Sequence, residues 1–319
     1  MSWTPQPGSF GFADPLFLLL IALAVEAYLG SRTLLAGRVP HPRAFLSRLV
    51  GALERRLNRA ARGASVLRVR GLLVACGTLL AAAAAGGLLM AVTRFYPFAW
   101  VIEVLLLVIL IGQRESWQRA RGVESALAGG SLVRAREALR LLAMGRLAES
   151  RLERLDVQAI RAATVPALAD RYAEGVVAPV FWYLLLGLPG IFVQQAVNVA
   201  AMRLGRGRSA SDSGVFARPL VSLDRVLTFV PDRLAGLLLA AAALFLPAAR
   251  PGPAFRRLPG SLAWPRAAMT AALGLVAARP EDFAAPDEAL SERARRLFVA
   301  ACLLNAALVA LVLLVRLGL

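Results

Sequence analysis

Gly175-Val-Val-Ala-Pro-Val-Phe-Trp-Tyr-Leu-Leu-Leu-Gly187-Leu-Pro189-Gly190-Ile-Phe-Val-Gln-Gln-Ala-Val-Asn198-Val-Ala-Ala-Met202 is an uncharged run inside a basic chain. It is long enough to cross a bilayer, which takes about 20 apolar residues. A plain anchor would not carry Gly-Leu-Pro-Gly at its centre, because proline removes a backbone donor and glycine weakens a helix. Broken backbone at membrane depth is tolerated where it is buried in protein or lines a cavity. The run therefore predicts a membrane protein with one segment broken at 187–190, the alternative being an ordinary kinked span.

Outward from it the chain has 319 residues, 58% of them hydrophobic, and a mean hydropathy of +0.64. Further apolar runs lie at 15–31 (with Glu26), 71–93, 95–113 (with Glu103), 234–249 and 297–315. Together they predict an all-α, polytopic integral membrane protein with five or six membrane segments, and they exclude a soluble enzyme. The first run lacks a basic region before it and a small-residue cleavage site after it, so it reads as retained. Cys76 and Cys302 fall in predicted spans, where a thiol packs as a small hydrophobe. Two cysteines make neither a disulfide framework nor a metal site.

The net charge of +17 comes wholly from arginine, since all 37 of the Lys and Arg residues are Arg. Without lysine there is no Schiff-base chemistry and no phosphate loop of the Lys-Ser/Thr kind. A phosphate has to be held by arginine, backbone amides or a metal. The arginines are spread over all the polar links, which fits positive-inside topology and not a nucleic-acid face. The link 32–70 holds ten arginines against Glu54 alone and is read as cytoplasmic. That makes 114–174 a cytoplasmic helical loop within one membrane domain covering 1–319. In this loop Ser131 is placed to cap a helix through Arg134, Arg136, Leu139 and Leu142, and Asp156 a second over 157–173, bent at Pro166. Residues 203–233 and 250–296 read as polar loops. The first lies outside if 175–202 crosses once, and is cytoplasmic if 175–202 dips in and returns.

The order of local motifs resembles the membrane-bound adenosylcobinamide-phosphate synthases of cobalamin biosynthesis, the CobD/CbiB family. The resemblance covers nearly the whole chain: Gly30, His41-Pro42, Glu54 with Leu57-Asn58, Ala135-Arg136, Gly145-Arg146 and Leu155. It continues through the most specific block, 175–181 running on to 187–190, then Ala196-Val197-Asn198, Gly205, Phe216, Leu223-Asp224, Val230-Pro231 and Arg233-Leu234. It closes on Ala263-Trp264-Pro265 with Ala267-Ala268-Met269 and Ala272-Leu273. What it implies is a protein of the bacterial inner membrane that joins aminopropanol phosphate to a propionate carboxyl of adenosylcobyric acid by nucleotide-driven amide formation. Mg²⁺ and ATP would be the cofactors and a corrinoid the substrate. Membrane lipid and other cobalamin-pathway proteins would be its partners, with no nucleic acid among them.

The chain departs from the family mainly at polar positions. Two glutamates, an asparagine and an aspartate of the family become Pro166, Asp170, Arg171 and Glu174. An acid becomes Ala201 while Asn198 persists. Paired aspartates and a nearby asparagine become Asp224, Arg225 and Thr228, and the acid expected after Arg146 is Leu147. Early aspartates become Glu26 and Ser31, and a late Asn and Glu become Ser261 and Arg266. Glycine, proline and apolar positions stay, so the fold is kept over a site with fewer oxygen donors.

The candidate catalytic and Mg²⁺-holding residues are Asp170, Glu174 and Asp224. Asp170 and Glu174 share a helical face at four-residue spacing, or are simply solvated acids paired with Arg171 and its neighbours. Arg136, Arg146 and Arg233 are candidate phosphate grips, Asn198 orients substrate, and His41, the sole histidine, serves as a base or as a structural His-Pro turn. Glu26 and Glu103, inside predicted spans, should be functional or paired. Phe181, Trp182, Phe216 and Trp264 line a corrinoid pocket or form interface belts. The missing acids suggest a rival, a non-catalytic paralogue acting as scaffold or corrinoid-binding partner. A transporter is suggested by the broken span alone, without the repeated halves that transporters show.

Overall fold

The computed structural model describes residues 14–30, 42–58, 63–96, 98–144, 146–205, 213–247, 249–275 and 287–318. Among these every regular element is helical. The first is α1 (Pro15–Leu29), where Asp14 accepts from the Leu16 amide at 2.8 Å and Pro15 fills the first turn. There follow α2 (Pro42–Leu57), α3 (Ala64–Phe95), α4 (Trp100–Leu110), α5 (Gln113–Ala128), α6 (Leu132–Ala143), a single turn at Glu149–Leu152, and α7 (Val157–Tyr172). The expected caps are present. Ser131 accepts from the Arg134 amide at 3.4 Å and Asp156 from the Ala159 amide at 2.7 Å.

After α7 comes a π-helical turn, Ala173–Val177, then α8 (Ala178–Leu186) and α9 (Leu188–Gly205). The break predicted from the sequence stands at Gly187, whose φ of 66° and ψ of −147° suit glycine alone. Pro189 falls in the first turn of α9, where its missing N–H is no loss. The two arms fold back on each other. A Cβ on Gly190 would lie 2.2 Å from the Trp182 carbonyl oxygen, and Gln194 donates to the Glu174 carbonyl at 3.5 Å. This folding back is the geometry that a run dipping in and returning requires. Gly86 of α3 lets the hairpin tip approach, since a Cβ there would meet Pro189 Cα at 2.6 Å.

The stretch 203–233 is not a loop throughout. From Ser213 it forms the first half of α10 (Ser213–Ala242), which also absorbs most of the run expected as a separate span at 234–249. Its two internal prolines and several arginines hid a helix from a reading based on composition. Pro231 cannot donate to the Leu227 carbonyl one turn earlier, and the Trp182 indole does so instead at 2.9 Å. Likewise 250–296 holds α11 (Pro251–Arg257), α12 (Trp264–Ala272) and the start of α13 (Ala289–Leu317). Among the described residues, three helices are long and apolar enough to cross a membrane, Ala64–Phe95, Gly214–Phe245 and Ala289–Leu317. The apolar runs at 15–31 and 95–113 form shorter helices of 15 and 11 residues.

The buried apolar residues fall into three clusters. One joins α1 and α4 to the hairpin around Leu19, Leu107, Leu188 and Ile191. A second sets α3 and α9 against the first half of α10 through Val74, Val197, Phe216 and Leu220. The third packs α5, α6 and α7 with the second half of α10, α11, α12 and α13 around Leu139, Leu168, Tyr172, Leu239 and Phe298. Glu26 and Glu103 are both paired, as their depth requires. Glu26 is fully buried and takes the Arg114 amide on both oxygens, at 3.0 and 3.1 Å, which closes the N-terminus of α5. Glu103 accepts from the Tyr183 hydroxyl at 2.6 Å.

Candidate functional site

Where α7, the π turn, α10 and α12 meet, polar side chains converge on a cavity of about 520 Å³. Asp170 comes from the last turn of α7 and Glu174 from the π turn. Asp224, Thr228 and Asp232 succeed one another at four-residue spacing on α10, so one face of that helix supplies all three. Arg146 enters from the link after α6, Arg225 from α10, and Arg266 from the first turn of α12. The π turn changes which backbone groups are paired inside its helix. The Gly175 carbonyl accepts from the Gly112 amide at 2.9 Å, which ties the start of α5 to this end of the hairpin.

The three acids expected to act together do line one cavity, and each is held by a neighbour. Arg146 bridges Asp170 and Glu174 with its two terminal nitrogens. Arg266 grips both oxygens of Asp170 in a fork, Nε and Nη2 each at 2.6 Å. Asn198, buried on α9, donates to Asp224 Oδ1 at 3.2 Å, and the Thr228 hydroxyl donates to the Asp224 carbonyl at 2.8 Å. Burial would lower the pKa of the Arg146 guanidinium, but Glu174 and Asp170 outweigh it and hold the pKa above the ordinary arginine range. Hydrogen bonding to Asp170 raises Arg266 as well, against its partial burial.

This arrangement does not fit a magnesium ion held by Asp170, Glu174 and Asp224. Among the described residues no three His, Cys, Asp or Glu side chains are gathered to hold a metal. Guanidinium groups stand where a cation would, and a cation there would be repelled by them. Arg171 directs its guanidinium to the Met144 sulfur.

Of the other predicted residues, Arg146 and Asn198 belong to the site. Arg136 does not line the cavity and donates to the Leu155 carbonyl at 3.2 and 2.8 Å. Arg233 lies over the rings of Phe229 and Trp264, 3.5 and 5.3 Å from their centroids, and donates to the Phe229 carbonyl. His41 lies outside the described residues. Phe181, Trp182, Phe216 and Trp264 line no part of this cavity. Arg266 and Asp232 were missed as site residues. Arg266 counted only as a lost acid and Asp232 only as a loop charge, although the 224, 228, 232 spacing would have joined Asp232 to Asp224 had 213–242 been read as helix.

Residues 19–315 match the model of the CobD/Cbib protein family. The cobalamin biosynthesis protein CobD of Brucella suis biovar 1 is 30% identical over 285 residues, which cover 85% of this chain and 84% of that protein. The cobalamin biosynthesis protein CobD of a Sinorhizobium species is 30% identical over 276 residues, 83% of each chain. That of Rhodobacter capsulatus is 28% identical over 277 residues, 84% of this chain and 83% of the relative. No solved structure matches the chain.

Proposed function

The chain belongs to the CobD/Cbib family of cobalamin biosynthesis, and from that premise we propose that it joins aminopropanol phosphate to a propionate carboxyl of adenosylcobyric acid. The observation that supports this most is the convergence of Asp170, Glu174 and Asp224 from separate elements on one cavity, with Arg146 between two of them and Asn198 under the third. Amide formation needs a neutral amine beside an activated carboxyl, held in attacking geometry. Asp224, fixed by Asn198, takes the amine proton as the C–N bond forms and the C–O bond to the leaving group breaks. Asp170 and Glu174, crosslinked by Arg146, keep the wall of the cavity rigid. ATP, as co-substrate, supplies the phosphoryl leaving group. No step is assigned to a protein-held metal ion. We further propose that the protein resides in the bacterial cytoplasmic membrane as a multi-pass protein with its cavity open to the cytoplasm, a reading supported by the three described helices long and apolar enough to span.

The test is growth. A cobalamin-dependent strain lacking its own synthase, fed cobyric acid and expressing this chain, is expected to grow, and the Asp224→Ala variant is expected not to. Absence of growth with the wild-type chain present in the membrane, while cobinamide feeding restores growth, overturns the reading.

A further inference from the structure

The candidate cavity shares a wall with a second and wider one. Leu262, Ala263 and Arg266 line both, and the second, of about 890 Å³, continues past Arg256, Arg257, Ser261 and Thr270. The two halves of this trough differ in charge. Among the described residues, the first holds four carboxylates against three guanidiniums, whereas the second holds three guanidiniums and no carboxylate. Arg266 marks the seam, 47% exposed and forked onto Asp170. Arg256 and Arg257 form no ion pair among the described residues. α12 also begins at the seam, so its first-turn amides add partial positive charge.

We propose that the basic half is a binding subsite for a phosphate monoester, gripped by Arg256, Arg257 and the outer edge of Arg266. Ser261, whose hydroxyl oxygen accepts from the Ala263 amide at 3.1 Å, keeps its proton to donate to a phosphate oxygen. Arginine suits this role because its planar fork matches phosphate oxygens. Taken with the function proposed above, on which this orientation rests, a donor with an amine at one end and a phosphate at the other lies across Arg266. Its amine sits at Asp224 and its phosphate over α11 and α12. Phosphate binding thus moves away from Arg136 and Arg233, which are committed elsewhere, to three arginines far along the chain.

The test uses the full chain in lipid nanodiscs and three probes: inorganic phosphate, 1-amino-2-propanol and its O-phosphate. The wild-type chain is expected to bind the O-phosphate at least tenfold tighter than the free amino alcohol, by the usual strength of hydrogen bonds between charged groups. The Arg256→Ala/Arg257→Ala variant is expected to lose that preference and its phosphate binding while keeping its affinity for the amino alcohol, which also shows that it is folded. Equal O-phosphate binding by wild type and variant overturns the subsite and leaves the proposed reaction standing. Loss of inorganic phosphate binding in the variant, with the O-phosphate bound by wild type no better than phosphate itself, upholds the subsite and removes the amine donor from this cavity. Failure of the wild-type chain to bind phosphate in any form overturns the subsite.

Discussion

The closed tip of the α8–α9 hairpin and its open end are governed by different physics. At the tip, Gly187, Pro189 and Gly190 carry no charge and are fixed by backbone geometry and by the space left beside α3. At the open end, Glu174 and Asn198 sit close to Asp170 and Asp224, and what matters is which charge faces which. The tip tolerates no added atom. The open end keeps its shape through ion pairs, so its polar residues can be exchanged while the fold around them persists.

The sharpest way to break the comparison is at Gly190. A methyl group there meets the Trp182 carbonyl oxygen at 2.2 Å and Leu186 Cβ at 2.9 Å. The obstruction is mainly backbone and cannot rotate away. Gly190→Ala is expected to cost about 4 kcal/mol, at the upper end of overpacking effects, read as loss of folded protein in detergent and a lowered apparent Tm. Gly77→Ala on α3, where nothing lies within 4 Å, is the control and should shift stability by no more than about 1 kcal/mol. Equal behaviour of the two variants would mean that the hairpin arms do not pack as described.

At the open end the corresponding change is Arg146→Met. It removes the bridge between Asp170 and Glu174, whose side chains are only 14% and 10% exposed, and leaves two acids close together. The expected cost is about 3 kcal/mol, typical of breaking one side of a buried pair. Neutralising the acids as well, with Asp170→Asn and Glu174→Gln, should recover most of that stability and none of the activity. If Arg146→Met alone leaves Tm unchanged, the open end is held by packing, and the contrast with the tip disappears.

What the sequence revealed follows the same line. The break at Gly187 and the shared face of Asp170 and Glu174 are local features, set by a few neighbouring residues, and both were legible. The forked partner of Asp170, beside Arg146, was not. Arg266 stands 96 residues away, and in a chain with 37 arginines and no lysine nothing local distinguishes it from the rest. α10 was hidden for a related reason: its arginines and prolines signal a loop, while the tertiary hydrogen bond from Trp182 to Leu227 that supports the helix at Pro231 has no trace in composition.

The smallest effect tests the boundary of the open end. Arg136 was a phosphate candidate by type, yet its guanidinium is spent on the Leu155 carbonyl through two hydrogen bonds, at 3.2 and 2.8 Å. That contact ties the link after Glu149–Leu152 to α6, the helix that leads into Arg146. Arg136→Ala should therefore lower stability by about 1 kcal/mol, as expected for a partly buried hydrogen-bonded group, and leave binding of the O-phosphate probe unchanged. A selective loss of phosphate affinity at unchanged Tm would return Arg136 to the site and extend the open end beyond the cavity that Asp170 and Asp224 define.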